Sequence, residues 1–350
     1  MPSLALETSV GRVSVAPIVS GLEEPWAVDF LPDGGILITE RGGRLLLARS
    51  GQPALAVAGV PDVVAEGQGG LLDVLVPRDF ANSREVFLSF SKAQGRGAGT
   101  ALAKGRLSTD GTRLTDVTVI FEASRGGRGG RHFGSRITEA QDGTLLLTIG
   151  DRGDRPSAQD RANHNGSIVR LNRDGSVPAD NPFVGRSGIQ PEIWSFGHRN
   201  PQGAALDAAG QLWTAEHGAR GGDEVNLVRK GANYGWPVIS YGRHYSGLKI
   251  GEGNAKDGME QPQFYWDPSM APSGMMIYSG RLWPAWRGDA FVGSLKFGYI
   301  ARLELDGNVA EDEAIEGPET ARVRDIMEGP EGAIWFLSVG NGTLYRMTPG

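Results

Sequence analysis

At a few points in this sequence, polar and basic residues gather in combinations able to move protons, hold a hard cation or grip a polyanion. Among the five histidines, at 132, 164, 198, 217 and 244, His132 stands out. Arg131-His132-Phe133-Gly134 lies directly before an apolar, strand-like run, and an imidazole there can take a proton near neutral pH. Each histidine read singly is equally compatible with an ordinary structural role. The run Ser195-Phe-Gly-His-Arg-Asn-Pro-Gln-Gly203 packs the Arg199 guanidinium, the Asn200 and Gln202 amides and an imidazole into five residues. Such a set is costly to bury without a ligand. Arg199 is suited to stabilising negative charge on an oxygen; a polar turn is the competing reading.

Glu216-His-Gly-Ala-Arg-Gly-Gly-Asp-Glu-Val-Asn226 combines acidic oxygens, flexible backbone and an amide, the hard ligands that calcium prefers. Asn233-Tyr-Gly-Trp-Pro237 can add backbone carbonyls to the same loop. The spacing is not that of an EF-hand, and an acidic solvated turn would look the same. Lys296 sits in Gly293-Ser-Leu-Lys-Phe-Gly, and Arg322 and Arg324 alternate before Asp325, which puts both arginines on one strand face. Three converging cations suit a small multicarboxylate or phosphate compound; a surface charge pattern is the alternative.

Other chemistry is excluded or disfavoured. The chain has no cysteine, so disulfides, thiolate zinc sites, iron–sulfur clusters and covalently attached haem are ruled out. There is no Walker loop, His-Glu-x-x-His, Gly-x-Ser-x-Gly or Rossmann fingerprint. With 35 Lys and Arg against 41 Asp and Glu, the net charge is −6, and a nucleic-acid partner is not expected. No apolar run reaches 18 residues, so no membrane insertion is expected, and the opening Met1-Pro2-Ser3-Leu4 lacks the pattern of a signal peptide.

These residues must be positioned by short strands and many turns. Of 350 residues, 53 are Gly, and short apolar runs are punctuated by Asp33-Gly34, Asp110-Gly111, Asp142-Gly143, Asp174-Gly175, Asp306-Gly307 and Glu331-Gly332. A strand–turn–strand phrase recurs from Trp26, Ile137, Gly203 and Ile326. Weaker copies start at Leu71 and Ser273. Six units in 350 residues give about 58 residues each, more than the ~40–45 of a compact blade, so some loops are long. The expected fold is all-β, a six-bladed β-propeller of four-stranded antiparallel blades forming a single domain over residues 1–350. The Gly- and Arg-rich stretches Gly95–Thr100 and Ser124–Arg131 read as hairpin tips, and Ser157–Asn165 as a loop-borne turn.

Taken together, these motifs resemble the soluble aldose sugar dehydrogenases of the glucose/sorbosone dehydrogenase family, which use pyrroloquinoline quinone (PQQ). The resemblance runs from about Pro25 to Tyr345. It rests on Gly67-Gln-Gly-Gly-Leu-Leu72, His132, Gly197-His-Arg-Asn-Pro-Gln-Gly203, Gly222-Asp-Glu-Val-Asn226 with Asn233-Tyr-Gly-Trp-Pro237, Ser294-Leu-Lys296 and Arg322-Val-Arg-Asp325, all in family order. It implies that His132 removes the anomeric proton while hydride passes to the quinone, giving a lactone, and that Arg199 stabilises the quinone oxygen. It implies cofactor contacts for Asn200, Gln202, Lys296, Arg322, Arg324 and Asp223, with Gln68 on the substrate side and Trp266 stacked over the quinone. It implies Ca2+ on the Gly218 and Ala219 carbonyls, and a second, structural calcium at Glu224 and the Tyr234 carbonyl.

Arg131 replaces an acidic residue of the glucose-oxidising branch, which with shorter loops implies a broad sugar range; Ala219 replaces a proline, which matters little where only its carbonyl is used. The partners implied are an aldose sugar and an external electron acceptor, for a monomer or dimer in the periplasm or secreted. The runner-up is a calcium-dependent propeller lactonase, in which Lys296, Arg322 and Arg324 have no evident task. A noncatalytic propeller scaffold or sugar-binding protein is a third reading.

Overall fold

The computed structural model describes residues 4–350; Met1-Pro2-Ser3, part of the signal-peptide reading, lies outside the described residues. The recurring phrase forms the inner hairpin of each of six sheets. The inner strands are Pro25–Phe30, Leu71–Leu75, Ile137–Glu139, Pro201–Leu206, Pro272–Ile277 and Val323–Glu328. Each passes through a turn into an antiparallel neighbour, such as Ile36–Glu40 or Leu145–Ile149. The glycines of all six acidic-Gly turns have φ between 74° and 87°, the left-handed region that a side chain disfavours.

Each inner strand touches the next around the ring, and Val323–Glu328 touches Pro25–Phe30, which closes a six-bladed propeller. Five blades have four strands. The sixth has five, because Gly11–Ser20 pairs with Thr343–Pro349 and carries Leu4–Thr8 on its outer edge. The ring is therefore sealed by pairing the first part of the chain with the last.

Apolar side chains fill the spaces between blades. Val28, Ile38, Trp335 and Leu337 join blades one and six, and Phe87, Leu102, Leu147 and Val169 join blades two and three. Burying each large side chain contributes about 1.5–3 kcal/mol. Near the axis, polar side chains stitch the inner strands together. Asp325 accepts from Val28 N at 3.0 Å, Asp29 from Val76 N at 2.6 Å, and Asp73 from Ile137 N at 2.6 Å. The Arg136 guanidinium lies 3.1 Å from Asp73 and 2.9 Å from Asp325.

Among the described residues the helical elements are Phe80–Ser83 and three 3-10 turns, one of which, Arg155–Gln159, overlaps the start of the stretch read as a loop-borne turn, Ser157–Asn165. No helix among them is long and apolar enough to cross a membrane.

Candidate active site

The inner strands all begin at one end of the axis, and the loops at that end surround a cavity of about 1100 Å3. Ten of the residues singled out from the sequence line it: Gln68, His132, Arg199, Asn200, Gln202, Gly218, Ala219, Lys296, Arg322 and Arg324. They come from five of the six blades, so neighbours in the cavity lie as much as 250 residues apart in sequence.

His132 is held from three sides. Its backbone is left-handed at φ 55°, and its N–H donates to Gln68 Oε1 at 2.7 Å. The preceding carbonyl, of Arg131, accepts from the buried Arg152 guanidinium, which lies 3.4 Å over the Phe133 ring. The third hold is Asp151, a residue not singled out from the sequence. Its Oδ1 lies 2.6 Å from His132 Nδ1, and its Oδ2 accepts from Trp236 Nε1 at 2.8 Å. Burial works against ionisation of Asp151. Hydrogen bonds from His132, Gly153 and Trp236, with the charge His132 carries when protonated, outweigh it and hold the carboxyl below its ordinary range. The shared proton therefore sits on Nδ1 and leaves the Nε2 lone pair free. Burial, aided by the charges of Arg199 and Arg131, also lowers the His132 pKa, against the hydrogen bond to Asp151. The result is a neutral, oriented base at the cavity wall.

The cavity walls are strongly cationic. Arg199 is buried, its Nη1 donates to the His217 carbonyl at 3.2 Å, its Nε has no partner, and it lies 5.3 Å over the Trp236 ring. Arg324 donates to Gln202 Oε1 at 2.8 Å, and burial, with the nearby Arg136 and Arg322 charges, pushes its pKa down to about 9. Lys296 reaches the Ser269 carbonyl and Arg322 the Leu295 carbonyl. None of these four cations has a carboxylate within 4.0 Å among the described residues. Asn200 and Gln202 are fixed in the wall: Asn200 Oδ1 accepts from Gly134 N at 3.1 Å, and Gln202 Nε2 donates to the Gly134 carbonyl at 3.1 Å.

The polar run 195–203 is satisfied from beneath by Glu216. Its oxygens lie 3.0 Å from His198 Nδ1 and accept from Arg199 N at 2.8 Å and Asn226 Nδ2 at 3.0 Å. The structural reading thus holds for His198, which is buried and stacked on Tyr234. His217 does line the cavity, but burial and the charges of Arg199 and Arg324 push its pKa down to about 3, and its Nε2 donates to the Pro272 carbonyl at 2.6 Å.

Four expected site residues lie outside the cavity. Trp266 does not stack over it. The ring sits on the outer strand Phe264–Trp266, packed edge-on against Phe264 in the core between blades four and five, with Nε1 donating to Glu311. The rings that do line the cavity are Trp26, Phe133 and the exposed Tyr245. Asp223 is buried behind the wall and accepts from Gly218 N at 2.7 Å, Ser269 Oγ at 2.7 Å and Ala271 N at 2.9 Å. It holds the Gly218–Gly222 turn in place rather than facing the cavity.

Glu224 and Tyr234 line a neighbouring cavity of about 10 Å3 together with Glu216 and Ser240, room for roughly one small ion or water. Burial first, then the Glu216 charge, raises the Glu224 pKa to about 8. The buried Asn226 Oδ1 nearby has no partner. Among the described residues no three His, Cys, Asp or Glu side chains converge as a metal cluster.

Comparison with known proteins points the same way. Residues 22–346 match the glucose/sorbosone dehydrogenase family. The aldose sugar dehydrogenase YliI of Escherichia coli is 43% identical, over 99% of this chain and 96% of its own. The crystal structure of the soluble aldose sugar dehydrogenase from Escherichia coli in the apo form superposes with a TM-score of 0.94 at 43% identity, covering 97% of this chain and 100% of that one. The PQQ-bound form of aldose sugar dehydrogenase from Streptomyces coelicolor gives 0.80 at 26% identity, covering 96% and 98%.

Proposed function

Since the chain belongs to the glucose/sorbosone dehydrogenase family, we propose that it is a quinoprotein aldose sugar dehydrogenase of broad sugar range, a single domain working in the periplasm or outside the cell. It would oxidise the anomeric carbon of aldoses to lactones with PQQ and Ca2+ in the cavity. The observation that carries this reading is the pairing of a neutral base, His132 on Asp151, with a wall of cations that lack carboxylates.

The chain's residues fit both groups. A flat tricarboxylate would satisfy Lys296, Arg322 and Arg324, and would bring an acceptor near the unpartnered Arg199 Nε. Asn200 and Gln202 would align it from the wall. Gly218 and Ala219 would offer carbonyls to a cation in the cavity. Glu224 and the Tyr234 carbonyl, with the unpartnered Asn226 Oδ1 nearby, would offer oxygens to a second one, which would displace a proton held on Glu224. When bound, PQQ supplies a carbonyl that accepts hydride, polarised by calcium.

The protein supplies the rest. His132 Nε2 takes the anomeric hydroxyl proton, and Asp151 stabilises the imidazolium that forms. The Arg199 guanidinium stabilises negative charge developing opposite it. Gln68, which holds the His132 backbone, and Tyr245 flank the space left for the sugar.

The test is reconstitution of purified protein with PQQ and calcium, followed by dye reduction with a panel of aldoses, alongside chelator and no-quinone controls. Sugar-dependent reduction that needs both additions is expected, and His132→Asn should abolish turnover while retaining PQQ binding. Absence of both PQQ binding and dye reduction would overturn the reading.

A further inference from the structure

The Gly- and Arg-rich loops have no task in the chemistry above, yet they stand at its door. The bridge between Ala98 and Gly127 sets the Gln94–Gly97 turn beside the 124–131 loop. The Gly130 carbonyl of that loop accepts from Gln68 N at the cavity wall. Arg96, Arg128 and Arg131 are exposed there. Across the mouth, Arg220 and Arg243 are joined backbone to backbone, and the turn beyond them carries Lys249. These six exposed cations have no carboxylate within 4.0 Å among the described residues.

Of the carboxylates near these cations, Glu24 is paired with Arg41, Asp154 and Asp160 with Arg125, and Glu252 with Lys256, which leaves Asp62, Glu66, Asp257 and Asp267. The rim also carries exposed apolar side chains: Tyr245 at 73%, Leu248 at 69% and Phe297 at 48% exposure. Apolar spots on a rim where unpaired cations outnumber unpaired carboxylates are the makeup of a small, transient, electrostatically steered interface.

Neither small participant explains this rim. Aldoses are neutral, and the cofactor's carboxylates are matched by deeper cations. Resting on the dehydrogenase reading, we propose that the rim is the docking surface for an acidic one-electron carrier protein. Each sugar oxidised leaves two electrons and two protons in the cavity. The electrons leave one at a time to two successive carriers, and the protons go to water. Arg96, Arg128, Arg243 and Lys249 steer the carrier, and Tyr245, Leu248 and Phe297 seat it over the mouth.

The probes are a lysine-rich c-type cytochrome and the same cytochrome made acidic by succinylation, tested against wild type and the reversals R96E/R128E and R243E/K249E. Binding to the cofactor-free protein is measured at low and high salt. Reoxidation by each cytochrome is measured after loading with PQQ, calcium and sugar. The expected result is binding and reoxidation at least about tenfold better for the acidic form at low salt, lost at high salt and lost in both variants. Dye-linked sugar oxidation should be unchanged in the variants. Equal or better performance of the basic cytochrome, or no effect of the reversals, overturns the proposal. Failure of dye-linked oxidation in wild type overturns the dehydrogenase reading instead, and the binding arm then still decides whether the rim takes an acidic protein.

Discussion

The two ends of the propeller treat their arginines in opposite ways. At the end formed by the acidic-Gly turns, buried guanidinium groups are matched by carboxylates. Arg302 meets Asp289 at 2.5 Å, Glu313 at 3.1 Å and also Asp312, and Arg170 meets Asp142 at 2.6 Å and Asp180 at 2.8 Å. At the cavity end, Arg199 is as well hidden and Arg324 is half-buried, and both face backbone and amide oxygens alone. A buried cation with no counter-ion costs stability. The cavity end is therefore shaped for a ligand at the expense of the empty fold, while the turn end serves the fold itself.

The contrast can be sharpened or broken by substitution. The largest effect belongs to the residue that orients the base: Asp151→Asn should lower kcat by about 10²–10⁴-fold, by loss of the tautomer and of imidazolium stabilisation, with PQQ affinity little changed in a titration. At the turn end, Arg302→Met strands the buried Asp289, takes a partner from Glu313 and Asp312, and should cost about 3–5 kcal/mol in urea unfolding. At the cavity end, Arg324→Met should do the reverse and raise the stability of the cofactor-free protein by about 1 kcal/mol. The same variant should weaken PQQ binding by roughly 10- to 100-fold, as expected for a lost charge-assisted bond. Equal destabilisation by both arginine variants would dissolve the contrast. The smallest effect concerns pH. Because the His132 pKa is lowered from 6.5, the base form persists below neutrality. kcat/KM should then be flat above pH 7 and fall only on the acid side of 6.5; a midpoint above 7 in a pH–rate profile would contradict this.

What was legible in the sequence was local. An Asp-Gly pair between two apolar runs specifies its own turn, so the hairpins, their sixfold return and the propeller followed from residues a few positions apart. His132, Arg199, Asn200, Gln202, Arg322 and Arg324 were legible as polar runs before inner strands and Lys296 as a cation at a strand end, while Gln68, Gly218 and Ala219 came from the family resemblance. What escaped depends on how distant segments meet. Nothing in Gly150-Asp151-Arg152 announces a partner for His132, although the hairpin register holds the information. Ile137 pairs with Leu147, and continuing that register backwards brings Phe133 opposite Asp151. Trp266 and Asp223 were misjudged for a related reason. The family resemblance implied cavity residues, but whether a side chain faces the channel or the space between blades depends on the pairing of a three-residue outer strand. Tyr245 lies in a long excursion without periodicity, where no pattern could assign it to the cavity.

The seam that seals the ring has a mechanical consequence. Val13 lies opposite Pro349 and Ser20 opposite Thr343, so the antiparallel strands Gly11–Ser20 and Thr343–Pro349 enter and leave the sheet at the same edge. Tension applied to these two strands from that edge is borne by one pair at a time, as in a zipper, rather than by all of them together in shear. The propeller is thus a hoop whose weakest direction of pull is set by the seam between these two strands, and a permuted chain cut in another blade would move that weak point around the ring.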